Sequence, residues 1–71
     1  MMDIDVRIVF ENWMEKAYQL ETAKIYSFAY NRYNDAYQLA SLAEDSAKLR
    51  AYQGMQRCKK KIEEKDKGLA K

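Results

Sequence analysis

Apolar residues in the first part of the chain recur at helical spacing. Val6, Val9, Phe10, Trp13, Ala17 and Leu20 fall on one face with Met14 at its edge, while Asp5, Asn12, Glu15, Lys16 and Gln19 lie opposite. Ile4, Val6, Ile8 and Phe10 also alternate as a strand would, but the two-residue period stops at Phe10. A second pattern is carried by IYSFAYNRYNDAY. Tyr26, Tyr30, Tyr33 and Tyr37 step by four, three and four, the spacing of one helix face. A third is made of small side chains: Ala36, Ala40, Ala43, Ala47, Ala51, Gly54 and Cys58 repeat at threes and fours, flanked by Leu39, Leu42, Leu49, Tyr52 and Met55. Such a seam lets another backbone come close, and that approach would offset the roughly 1 kcal/mol that glycine costs inside a helix.

The fold class expected from these patterns is all-α. Residues 31–35, NRYND, hold the densest Asn/Asp cluster, and Asp35 followed by Gln38 has the form of a capping box. This predicts an antiparallel hairpin of two long helices, roughly residues 4–31 and 35–65. The alternative is a three-helix arrangement with a break near residues 21–22, where Glu21 and Lys24 interrupt the first apolar face. The closing stretch RCKKKIEEKDKGLAK has only Ile62 and Leu69 as bulky anchors, which predicts one helical domain over residues 1–62 and a frayed or disordered charged tail over 63–71. The tripeptide AYQ begins at Ala17, Ala36 and Ala51, at unequal intervals, so it marks no internal repeat.

Composition sharpens this picture. A chain of 71 residues buries too little surface to be more than marginally stable alone. The single cysteine excludes an intrachain disulfide, and one thiol without histidine excludes an ordinary structural zinc site. Self-association is the remedy left, and a homodimer packing as a four-helix bundle is expected. Phe10, Trp13, Leu20, Phe28, Leu39, Leu42 and Leu49 are the bulky residues such a core would use, and Ala43→Leu would hold the seam apart. The net charge of +2 hides an asymmetry: residues 1–45 carry eight acids and four bases, residues 46–71 nine bases and three acids. That polarity would align two chains head to tail or aim one end at an anionic partner.

The residues offer little catalysis. There is no histidine for acid–base work at neutral pH, and Glu11 with Glu15, Glu44 with Asp45 and Glu63 with Glu64 read as solvated helix faces. Arg57 and Lys59 would favour a Cys58 thiolate, yet Cys58 continues the small-residue seam and reads as packing. No phosphate loop, dinucleotide fingerprint or metal motif is present, so no enzyme, cofactor or metal is expected. The start, MMDIDVR, lacks the form of a signal peptide, and Ile8-Val9-Phe10 is the longest apolar run. A cytoplasmic protein without a membrane span is the resulting expectation.

Two binding readings remain. Tyr26, Tyr30, Arg32, Tyr33 and Tyr37 have the composition of a protein-recognition patch, that of an adaptor, inhibitor or regulator such as a bacterial or phage accessory protein. The bland reading of the same tyrosines is the rim of a thin helical core, rings buried and hydroxyls wet. Arg50, Arg57, Lys59, Lys60 and Lys61 form the alternative, a basic helix holding nucleic-acid phosphates, with Glu63, Glu64 and Asp66 blunting it.

Overall fold

The computed structural model describes the backbone of residues 1–69 and the side chains of residues 1–65. Three α-helices and no strand occur among them: α1 (Ile4–Thr22), α2 (Tyr26–Leu42) and α3 (Lys48–Leu69). The all-α class holds, and of the two arrangements the sequence allowed, the three-helix one forms.

Asp3 starts α1 by accepting the Val6 N–H at 2.9 Å, and Asp5 places a negative charge in the first turn. Both α1 and α2 end in Schellman motifs, in which two looping N–H groups close on carbonyls of the last turn. After α1, Lys24 N–H reaches the Glu21 carbonyl and Ile25 N–H the Leu20 carbonyl, each at 2.9 Å. After α2, Glu44 N–H reaches Ser41 at 3.0 Å and Asp45 N–H reaches Ala40 at 2.9 Å. Such turns need one residue in the left-handed region, and here neither is glycine: Lys24 has φ 65 and Glu44 φ 53. Lys24→Gly and Glu44→Gly should therefore each raise stability by about 0.5–1 kcal/mol, because a Cβ is costly in that conformation. The check is a higher urea midpoint at unchanged slope.

Asp45 then opens the third helix. Its Oδ1 accepts the Ala47 N–H at 2.8 Å, and three i to i+3 bonds tighten the chain from Asp45 to Arg50 before regular α3 geometry sets in.

The expected turn at residues 31–35 lies in the middle of α2. Asparagine costs only about half a kcal/mol in a helix interior, and the apolar face of Ala29, Tyr33, Ala36 and Ala40 runs straight through the cluster. Arg32 and Asp35, three residues apart, pair across the outer face at 3.4 Å instead of capping.

α2 is the central helix. α1 and α3 both pack on it and touch each other at few points, giving a flat molecule of 48 × 19 × 12 Å. Two clusters make the core. Met2, Phe10, Ala36, Ala40 and Ala51 form one, and Ala17, Ala29, Tyr33, Met55 and Cys58 the other. Half of these residues are alanine, so the helices approach closely and bury little bulk.

The small-residue seam thus closes on itself. Ala36 and Ala40 of α2 pack with Ala51 of α3, Gly54 lies against Tyr33, and Cys58 joins the cluster of Ala17, Ala29 and Tyr33, while Ala43 is the α2 C-cap and Ala47 sits in the turn. Most of the seam is thus used within one chain, and Ala43 and Ala47 stay half-buried at the turn. Of the bulky residues expected inside, Phe10 is buried, while Trp13, Phe28, Leu42 and Leu49 are 36%, 63%, 85% and 58% exposed. α3 runs on through residues 63–69, positions the sequence pattern assigned to a frayed tail; the expectation for residues 70–71 falls outside the described residues. Among the described residues no helix is long and apolar enough to cross a membrane.

Candidate interaction surface

The four tyrosines do share one helix face, and that face packs inward. Tyr33 is fully buried; Tyr26, Tyr30 and Tyr37 are half-buried around it. Tyr37 meets Tyr52 of α3 with ring centroids 5.9 Å apart. The band is the rim and floor of the α2–α3 contact, with the Tyr33 hydroxyl satisfied inside the molecule. Arg32 lies elsewhere, on the solvent side of α2 in its pair with Asp35.

The Tyr33 ring lies against Gly54, and its hydroxyl donates to Glu21 Oε1 at 2.6 Å. Arg57 meets the same carboxylate from α3, Nε to Oε2 at 2.9 Å and Nη2 to Oε1 at 3.1 Å, with its guanidinium 5.8 Å from the Tyr33 ring centroid. One residue from each helix therefore joins in a single knot. Nearer the other end of α1, Arg50 clasps Glu11 through both nitrogens at 2.9 and 3.1 Å and lies 5.7 Å from the Phe10 ring. Arg7 reaches Asp45 at 3.6 Å. The Glu21 and Glu11 pairs strap α1 to α3 where packing between them is sparse, and the Arg7 pair ties α1 to the turn before α3.

The straps alter the basic face. Arg50 and Arg57 are taken up by carboxylates of the same chain, and Lys61 approaches Glu64 at 3.8 Å. Lys59 and Lys60 are exposed. The charge asymmetry along the sequence is reduced within the molecule, two acids of α1 against two arginines of α3.

Hydrogen bonds from Arg57 and then Tyr33 hold the Glu21 carboxyl below its usual range, and those from Arg50 do the same for Glu11. Backbone N–H groups of Ala47 and Met2 lower Asp45. A carboxylate whose folded pKa is depressed stabilises the fold above its unfolded pKa, and that stability is lost as pH falls through the folded value. The urea midpoint should accordingly hold at neutral pH and fall steadily below about pH 4.5, with Glu21→Gln flattening the decline. Burial pushes the Cys58 thiol up to about 11, and Arg57 is turned to Glu21, so the thiol is protonated at neutral pH.

The face that remains open lies on the other side of α1 and α2. The two helices run antiparallel, which sets Leu20 near Phe28 and Trp13 near Leu39. Trp13, Asp35, Gln38, Leu39 and Leu42 line one shallow hollow; Leu20, Phe28, Asn31 and Arg32 line the next. Together they form an apolar strip with a single ion pair, Arg32–Asp35, at its middle. Exposed large apolar residues scattered singly are ordinary, but a contiguous strip holding Trp and Phe beside an arginine has the make-up of a contact surface.

The chain matches no protein-family model, no curated protein and no solved structure. Among the described residues no group of His, Cys, Asp and Glu could hold a metal ion. Of the residues singled out in the sequence for binding, the structure brings only Arg32 into the open strip. Trp13, Leu20, Phe28, Leu39 and Leu42, the residues expected to fill the core of a dimer, line the outer strip of the single chain, and helical angles carry that signal: they place Val9, Trp13 and Leu20 on one flank of the Phe10–Ala17 axis, and Phe28, Leu39 and Leu42 on one flank of the alanine face of α2.

Proposed function

We propose that this chain is a small non-enzymatic interaction protein, an adaptor, inhibitor or regulator, whose contact surface for a further polypeptide chain is the α1–α2 strip. The observation that carries the reading is the inversion of bulk. Half of the buried apolar residues are alanine, whereas Trp13, Phe28 and Leu42 stand on one outer face, 36%, 63% and 85% exposed. Transferring a large apolar side chain out of water contributes about 1.5–3 kcal/mol, and a face with several of them is stabilised by being covered. A polypeptide is favoured over a nucleic acid because the strip's centre carries one cation and one anion, and because Arg50 and Arg57 already hold carboxylates of their own chain.

The test is photo-crosslinking in cells. A benzophenone amino acid replaces Phe28 or Leu42 in one set and Tyr52, exposed on α3 away from the strip, in the control. Polypeptide adducts from the first two positions and few from the third are the expected outcome. Equal yields at all three, or adducts that vanish with nuclease, would remove the reading.

A further inference from the structure

We infer that the polypeptide covering the strip is a second copy of this chain, docked antiparallel about a two-fold axis that passes between Arg32 and Asp35. This rests on the strip being a contact surface and names its occupant. Along the strip the order is an apolar block of Leu20 and Phe28, then Arg32, then Asp35, then a second apolar block of Trp13, Leu39 and Leu42. Turning a copy end over end lays each apolar block on the other and sets Arg32 of one chain against Asp35 of its twin, twice. A parallel alignment stacks Arg32 on Arg32 and Asp35 on Asp35. The face is thus complementary to itself in one orientation only, which is the condition an isologous interface must meet. An outside partner has no reason to find cation and anion in that order; a twin always does.

Long-range charge does not oppose the pairing. The acid excess of the first 45 residues would make two α1–α2 faces repel, but Glu11 and Glu21 are bound to Arg50 and Arg57 on the far side. Lys16, Arg32 and Asp35 are the charges bordering the strip. The head-to-tail alignment suggested by the linear charge pattern therefore gives way to a face-to-face one.

Sedimentation velocity on the purified chain and four variants tests this. The wild type should dimerise, and Leu42→Glu and Phe28→Glu should each weaken dimerisation by about 30-fold or more while keeping the helical circular dichroism. Arg32→Asp and Asp35→Arg lose only an exposed pair within the chain, so both should fold. Each alone presents like charges to its own twin and should be monomeric, and an equimolar mixture of the two should form heterodimers. A wild type that stays monomeric at several hundred micromolar overturns the inference, and so does dimerisation that both like-charge variants retain, or a mixture that fails to associate. A monomeric wild type whose Phe28 photoprobe still yields adducts of another mass would remove the twin and leave the contact surface; a monomer without adducts would remove both.

Discussion

Gly54→Ala should destabilise this protein by about 1–3 kcal/mol, although the same substitution inside an exposed helix stabilises by about 1 kcal/mol. A Cβ added at Gly54 would stand 2.6 Å from both Cδ1 and Cε1 of Tyr33 and 2.7 Å from Cζ. The ring has nowhere to go. It is buried between α1, α2 and α3, and its hydroxyl is tied to Glu21, which Arg57 grips in turn. Relief requires α3 to move off α2, which loosens the alanine contacts on either side. The sign should reverse once the ring is gone: in a Tyr33→Val background, which lacks all three clashing atoms, Gly54→Ala should be neutral or stabilising. Urea titrations of the four proteins, with trimethylamine N-oxide added if Tyr33→Val is marginal, measure the cycle. Equal effects in both backgrounds would mean that glycine serves there for some reason other than the Tyr33 ring.

The helical class, the inward faces of α1 and α2 and the close approach allowed by the small residues were legible in the sequence, because each is a matter of period and side-chain size. The seam's partner was not. A run from Ala36 to Cys58 looks like one stripe on one helix, and only the turn at residues 43–47 makes its two halves face each other. That turn carries no glycine or proline, and it depends on Glu44 taking a left-handed φ and on Asp45 capping the start of the third helix. The first turn likewise hides behind Lys24. The tyrosines were ambiguous for a different reason. Composition alone cannot separate a rim from a grip, since a half-buried ring suits both. The deciding feature is the set of alanines at Ala29, Ala36 and Ala40 on the core face of α2, which lets α3 come close enough to enclose Tyr33 and half-bury the other three rings. The outer strip is marked in the sequence only by the helical angles of Trp13, Phe28 and Leu42, because their bulk alone points them to a core.

Phe10→Ala should cost about 3–4 kcal/mol and leave the isolated chain largely unfolded at room temperature, whereas Phe28→Ala should cost less than about 0.5 kcal/mol under the same dilute conditions. Both residues are phenylalanine in an α-helix, and only the helical angle that sets Phe28 to one flank of the alanine face distinguishes them in the sequence. Phe10 is wholly enclosed in the cluster of Met2, Ala36, Ala40 and Ala51, and its truncation opens a cavity in a core too thin to collapse around it. It also removes the ring beneath Arg50, which Glu11 holds in place. Phe28 is 63% exposed and has little to lose within one chain. The contrast should narrow as protein concentration rises, because anything that pairs only with the folded state stabilises it by mass action, and Phe28 belongs to the pairing face. Thermal unfolding by circular dichroism over a hundredfold range of concentration reads both effects. A midpoint for Phe28→Ala that lies far below wild type at the lowest concentration would place that ring in the fold of the single chain and close the strip to any occupant. A wild-type midpoint that climbs with concentration, beside a Phe28→Ala midpoint that does not, is the pattern expected of a protein whose bulk is held on the outside for a second surface to cover.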